Sequence, residues 1–398
     1  MTAPAAHSAA PPPFLTKTKE LQDFCARALS DNTPEGGFVT VDTEFHREKS
    51  YYPKLCLVQI GSAQEAVLVD PLAKSMDLSA LKPLFTAPGI VKVFHSGRQD
   101  IEIFLQMLGL IPNPLFDTQI AAMVCGFGDS VSYEKLVIAL TGASVDKHLR
   151  ATDWTKRPLS QAQAAYALGD VTYLRTVYSA LSRRIADQNR EEWVAEEMAA
   201  LSDEAGYRQN PREVWRRLRL KNRKPRFLAI LRELAAWREE EAMKRDIPRG
   251  HVIKDETLIE VAASAPATPE ELAGNRNLSA KWVKTHGDAV LAAIAAGKAV
   301  PQEDYPRMPA PPPLPEGVGP LVELLKVLLK RQSELHQVAP RLIADADDLE
   351  KMAAFDAPDV QALSGWRFDI FGKYALELKS GKAALTARGS QIELIQVG

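Results

Sequence analysis

The apolar and polar positions change period along the chain, and the changes outline its elements. In GGFVTVDTEF, Val39, Val41, Thr43 and Phe45 alternate with Thr40, Asp42 and Glu44. That is period two, the signature of a strand. KLCLVQIG and AVLVD read as further strands, with Gly and Asp-Pro punctuation between elements. A short helix around 16–30 precedes them. DLSALKPLF reads as a helix, VKVF as a strand, and RQDIEIFLQMLG as a helix closed by Gly109. From about 117 to 205 the spacing is helical. A three-stranded opening followed by strand–helix alternation predicts an α/β fold, a mixed sheet covered by helices.

Beyond Tyr207 the pattern is helical throughout. Residues 212–244 and the stretches after them carry helical spacing with no convincing strand. PRMPAPPPLPEGVGP, 307–320, interrupts it with a proline density that favours an extended spacer. LVELLKVLLKRQSELH, ADADDLEKMAAF and the final stretch are again read as helical. The two helical stretches resemble each other in size and composition, as an internal duplication would. The expected organisation is a disordered Ala/Pro-rich tail over 1–13, an α/β domain over 14–205 and a helical domain over 206–300. A proline-rich linker over 301–318 and a second helical domain over 319–398 complete it.

Composition narrows the function classes. Of 398 residues, 46% are hydrophobic and 25% charged, a globular balance. A net charge of −2 argues against a surface coated with nucleic acid, though not against a local basic patch. Three cysteines, Cys25, Cys56 and Cys125, sit in apolar contexts and have no zinc-site spacing. Buried free thiols in a reducing compartment are expected, hence the cytoplasm. The N-terminus lacks the basic start and apolar core of a secretory signal. No uncharged apolar run reaches about 18 residues, so no membrane span is expected.

The candidate chemistry is acidic. Asp42 and Glu44 stand two apart on a strand and point to one face. Paired carboxylates there need a cation, and Mg²⁺ favours such oxygen ligands. The alternative is a strand end with solvated acids. Asp100 follows the strand VKVF and falls in the first turns of a helix, where an acid is also favoured by the helix end alone. Ser160 and Gln163 form a capping box ahead of a helix through Asp170. Tyr166 and Asp170 are four apart on that helix and share a face, as a packing pair would too.

These residues carry a family resemblance. VDTEF, HSGRQD and YALGD, in that order, resemble the three motifs of the DEDD 3′→5′ exonuclease superfamily. The likeness is to its tyrosine branch. The histidine branch places its helper five positions before the last Asp; here that position is Ala165, and Tyr166 lies four before. FDTQIAA and DWTKRPLS are similar to connecting segments of ribonuclease D. RFLAILRELAAWREEEAMKRDIPRGHVIKDETLIEVA and LSGWRFDIFGKYALELKSG are similar to HRDC domains. The resemblance spans about residues 15–390. It implies a ribonuclease H-like exonuclease domain with a mixed sheet flanked by helices, followed by two all-helical HRDC-like domains.

It further implies two divalent ions, Mg²⁺ or Mn²⁺, on Asp42, Glu44, Asp100 and Asp170, with Tyr166 orienting the attacking water. The expected partner is RNA with a free 3′ end, transfer RNA precursors and other small structured RNAs in particular. A monomer is expected. Lys156 and Arg157 could touch terminal phosphates or form a solvated basic pair. The stretch 208–226 is the clearest basic region. In it Arg216, Arg217, Arg219, Lys221, Arg223 and Lys224 could grip a phosphate backbone. The bland alternative is a helix face neutralised by WREEE, 237–241. His95 reads as structural or site-lining, Gln59 and Phe45 as pocket lining or packing, Asp117 as a site acid or an N-cap. Trp154 reads as a loop brace or a base-stacking platform. The rival activities are a 3′→5′ DNA exonuclease and a non-catalytic RNA-binding scaffold. A helicase is disfavoured by the lack of GxxxxGK[ST], and a polymerase proofreading unit by the shortness of the remaining chain.

Overall fold

The computed structural model describes residues 13–30, 37–145, 149, 152–308 and 314–397. Residues 1–12 of the expected tail and 309–313 of the expected linker lie outside the described residues.

The sheet takes its strands from β1 (Phe14–Leu15), β2 (Gly37–His46), β3 (Lys54–Gly61), β4 (Ala66–Val69), β5 (Ile90–Phe94) and β6 (Leu115–Asp117). Their order is β1-β4-β3-β2-β5-β6. β1 runs parallel to β4, β3 antiparallel to β4, and β2, β5 and β6 pair in parallel. The sheet is therefore mixed, and β2, with the first two acids, is central in it. α1 (Thr18–Ser30), α2 (Lys82–Thr86), α3 (Arg98–Leu108), α4 (Thr118–Val124), α5 (Tyr133–Thr141), α6 (Gln161–Asp187) and α7 (Glu191–Ser202) accompany it. The helical reading of DLSALKPLF holds as a 3₁₀ turn, Leu78–Leu81, running into α2.

The described residues of 1–44, 56–203 and 312–398 form one compact unit, those of 45–55 and 204–311 another. In the second unit a 3₁₀ turn, Pro211–Arg217, precedes α8 (Pro225–Arg245). The helical spacing over 212–244 is thus divided between these two elements, and Pro225 sets the start of α8. α9 (Arg249–Val252), α10 (Asp255–Ser264), α11 (Pro269–Ala273) and α12 (Ala280–Ala299) follow. Trp215, Leu228, Leu231, Leu234, Leu258 and Val290 are among its core residues. Tyr51, from the β2–β3 connection, packs against that core.

The last stretch holds α13 (Gly319–His336), α14 (Pro340–Ile343), α15 (Ala346–Ala354), α16 (Gly365–Arg367) and α17 (Lys373–Lys379), with a π-helical turn, Phe368–Gly372, between the last two. It belongs to the first unit. Trp366 stacks on Trp193 of α7, rings 4.5 Å apart. Arg367 pairs with Glu196 at 2.7 Å and with Glu197. The chain then forms a hairpin, β7 (Ala383–Arg388) and β8 (Gln391–Gln396). This corrects the helical expectation for the final residues. Gly389, at φ 63, takes the left-handed turn that the hairpin needs.

Among the described residues no helix is long and apolar enough to cross a membrane. Cys25, Cys56 and Cys125 are buried, and no disulfide joins them among the described residues.

Candidate active site

Thr40 registers the site. Its hydroxyl donates to Val171 O of α6 at 2.8 Å and to Gly61 O of β3 at 3.2 Å. Gly61 has to be glycine here, since a Cβ would sit 2.6 Å from Thr40 Oγ1. Asp42 and Glu44 follow Thr40 at period two and so face α6 as well. α6 starts at the capping box expected from the sequence. Ser160 Oγ accepts from Gln163 N, and the Gln163 side chain returns to Ser160 N. One further contact anchors this helix: the Tyr133 hydroxyl donates to Gly169 O at 2.9 Å.

The result is a convergence. Asp42, Glu44 and Asp170 each bring a carboxylate oxygen within 4.8 Å of the others, and all three residues are half-buried. Three hard oxygen donors at this spacing fit a divalent cation such as Mg²⁺ or Mn²⁺. The negative field is felt nearby. Burial raises the Tyr133 phenol, and the charges of Asp170 and Asp42 raise it further.

Asp100 lies outside that triple. It is buried in the first turn of α3, and Thr43 donates its hydroxyl to the carboxylate. Burial holds its carboxyl well above the usual range, and the charge of Asp42 adds to the effect. The loop that sets it depends on Asp117. That side chain caps α4 through Gln119 N at 2.8 Å and also accepts from Ser96 N at 3.0 Å and Gly97 N at 2.8 Å. Asp117 is thus an N-cap that also pins the turn between β5 and α3. Gly97 gives that turn room rather than freedom: its φ is −76, but a Cβ would meet Phe94 Cβ at 2.4 Å.

His95 is packed inside, its Nδ1 3.0 Å from Thr118 Oγ1 and its ring 5.4 Å from that of Tyr133. Burial lowers its pKa. Trp154 is only 4% exposed, with its ring 6.1 Å from that of Tyr166. It braces the loop ahead of α6 and presents no stacking face to solvent. Gln59 is fully buried and Phe45 half-buried.

The expected phosphate contacts separate into two kinds. Lys156 is exposed, 3.8 Å from Asp153. Arg157 is committed internally. Its guanidinium holds Asp70 at 2.8 Å and donates to Trp154 O and Cys56 O. It ties the loop to the sheet, which corrects the expectation of a hand free for phosphates. In the second unit Arg216 pairs with Glu213 and stacks 4.8 Å over Trp215. Arg217 contacts Gln209 weakly at 3.4 Å. Arg219, Lys221, Arg223 and Lys224 are exposed. Within WREEE, Glu239 turns inward to Arg249 and Tyr51, and Glu241 pairs with Arg245.

Sequence reasoning missed Thr43, Tyr133 and Lys92. Thr43 had a signal, a hydroxyl at a core-facing strand position. Lys92 is wholly buried, with Nζ donating to Ala87 O at 2.9 Å, Ile90 O at 2.6 Å and Asn113 O.

Known proteins resemble this chain over most of its length. Residues 13–186 match a family described as 3′-5′ exonuclease. Residues 227–294 match the HRDC domain. Ribonuclease D of Acidiphilium cryptum is 47% identical over 388 residues, covering 97% of this chain and 98% of that protein. Ribonuclease D of Granulibacter bethesdensis is 47% identical over 389 residues, covering 97% of each. The crystal structure of Escherichia coli RNase D, described as an exoribonuclease involved in structured RNA processing, superposes with TM-score 0.77 at 28% identity. It covers 93% of this chain and 99% of that one.

Proposed function

Because the chain belongs to the ribonuclease D family, we propose that it is a metal-dependent exoribonuclease that shortens structured RNA from the 3′ end at Asp42, Glu44, Asp100, Tyr166 and Asp170. The observation that carries the site assignment is the meeting of Asp42, Glu44 and Asp170 from one strand and one helix. Clustered carboxylates repel each other and resist burial, so a fold that gathers them needs a cation there.

Two divalent ions, Mg²⁺ or Mn²⁺, are the proposed cofactors. Asp42, Glu44 and Asp170 would hold one, and Asp42 with Asp100 the other. Such ions supply an activated water and offset the charge that grows on the phosphate. The protein's own groups then set direction. Tyr166, one helical turn before Asp170, orients the water towards the last phosphodiester. A phenol is a poor general base at neutral pH, so its part is orientation. The products are nucleoside 5′-monophosphates, released one at a time.

The proposed division of labour follows the chain. Residues 14–205 carry the chemistry, 206–300 form an HRDC-like domain, 301–318 a spacer, and 319–398 a second HRDC-like domain. Similarity of LSGWRFDIFGKYALELKSG to the HRDC pattern and the helices α13–α17 support the last of these. In the second unit the exposed cations Arg217, Arg219, Lys221, Arg223 and Lys224 supply a phosphate grip, with Arg216 steadied on Trp215; Lys156 is a separate phosphate contact of the first unit. The substrates proposed are transfer RNA precursors and similar small RNAs, met by a monomer in the cytoplasm. Buried free thiols fit that reducing compartment.

The test is a product assay on short single-stranded RNA and on DNA of the same sequence, with Mn²⁺ and with EDTA. Release of 5′-monophosphates from RNA, lost in EDTA, is the expected result. Tight RNA binding with no release at any metal concentration would favour the scaffold, and preference for DNA would favour the rival nuclease.

A further inference from the structure

β3 carries one polar side chain within its apolar run. Gln59 is wholly buried, and neither its amide nitrogen nor its amide oxygen has a hydrogen-bond partner. A buried amide left unpaired weakens the fold, and an apolar side chain of similar size would avoid that loss.

Its place in the sheet accounts for its retention. Gln59 stands opposite Leu68 of β4. Leu68 packs with Ala164 and Ala167 of α6, so Gln59 also faces α6. β2 is the neighbour on its other side. The Thr40 contacts with Gly61 set those two residues opposite each other. β2 ends at His46 and β3 begins at Lys54, a connection too short for a parallel crossover, so the two strands run antiparallel. Two residues on along β2, and two back along β3, Asp42 comes opposite Gln59. The orphaned amide is therefore the cross-strand neighbour of the acid that meets Glu44 and Asp170.

We infer that Gln59 is a positioning residue for the cation site. In the loaded site its amide donates to the Asp42 carboxylate, directly or through one water, and holds that carboxylate in its ligating pose. A neutral amide suits this task. It fixes a carboxylate without adding a positive charge that would compete with the cation. Groups that orient a metal ligand in this way typically change metal affinity by about 10–100-fold when removed. The inference rests on the proposed role of Asp42 as a cation ligand.

The experiment compares full-length wild type, Q59L, Q59M and D42N. Mn²⁺ binding is measured by calorimetry without RNA, and melting temperature is measured in EDTA. Two apolar replacements are used because branched Leu and flexible Met place different demands on the packing. The expected result for both is a melting temperature in EDTA equal to wild type or higher, with Mn²⁺ binding weakened about tenfold. The two readouts thus move in different directions, which a packing role alone does not produce. Wild-type Mn²⁺ affinity in Q59L and Q59M overturns the inference, as does a lower EDTA melting temperature in both. If D42N loses Mn²⁺ while both Gln59 variants retain it, only the role of Gln59 fails. If wild type binds no Mn²⁺, the cation site fails with it.

Discussion

The hydroxyl of Thr43 donates to the carboxylate of Asp100, joining β2 to the first turn of α3. Asp42 and Glu44 face α6 from the same strand, and Thr43 between them holds the fourth acid. One strand thus carries two of the carboxylates and holds a third. T43V keeps the shape and removes the donor. It is expected to cost about 1 kcal/mol of stability and to lower RNA hydrolysis, while T43S retains both. Thermal melts and Mn²⁺-dependent rates check this; wild-type rates in T43V would remove Thr43 from the account.

Lys92 gives a pH signature. Burial pushes its pKa down to about 8, below the roughly 10.4 of an unfolded lysine. Between those values the unfolded chain binds a proton that the folded chain lacks, so this group makes stability rise with pH across that window. K92M removes the effect and also leaves three carbonyls without their donor. It should be less stable at every pH, and the gap should widen between about pH 8 and 10. Calorimetry on both proteins over that range tests the point, and a constant gap contradicts it.

In the helical unit, Glu239 is wholly buried between Arg249, whose Nη2 lies 2.8 Å from it, and the Tyr51 hydroxyl. Burial acts to raise the Glu239 pKa, but its bonds from Arg249 and Tyr51 outweigh this and lower it. R249A strands a buried carboxylate and should cost about 3 kcal/mol, the low end for a broken buried pair because Arg249 is partly exposed. Y51F should cost about 1 kcal/mol. A depressed carboxyl pKa stabilises above the unfolded value of about 4.3 and loses that contribution as pH falls through the folded value. Acid unfolding should therefore begin at higher pH in R249A, and equal acid curves would refute the assignment.

The exposed cations after the 3₁₀ turn act on binding rather than chemistry. K221E, R223E and K224E combined should weaken RNA binding, raise KM and leave kcat near wild type. The salt dependence of binding should flatten by about one log unit per lost phosphate contact. R157A should instead lower the melting temperature, because its guanidinium braces Asp70 and Cys56 O. Titrations between low and moderate salt separate the two effects, and an unchanged salt slope in the triple variant would exclude this stretch as the grip.

What the sequence revealed depended on the range of the forces involved. The meeting of Asp42, Glu44 and Asp170 was legible because strand and helix periods are local, and so was the Ser160–Gln163 cap. β1 and β6 were not, since two- and three-residue strands exist only through their partners in the sheet. The β7–β8 hairpin was legible in principle, with Gly389-Ser390 between alternating runs, but Ala-rich neighbours imitate a helix. The inward turn of Glu239 and the commitments of Arg157 and Lys92 arise from tertiary packing. A charged residue in a sequence carries no mark of whether its partner is water or a distant carbonyl.

Hydrolysis is proposed to depend on the cation that Asp42, Glu44 and Asp170 would hold. The direct measurement is Mn²⁺-dependent shortening of a 5′-labelled RNA from its 3′ end by wild type, D42N, D170N and Y166F. The expected losses are on the order of a thousandfold for D42N and D170N, and up to about a hundredfold for Y166F with Mn²⁺ binding intact. Wild-type rates from D42N or D170N, both folded, would contradict this dependence.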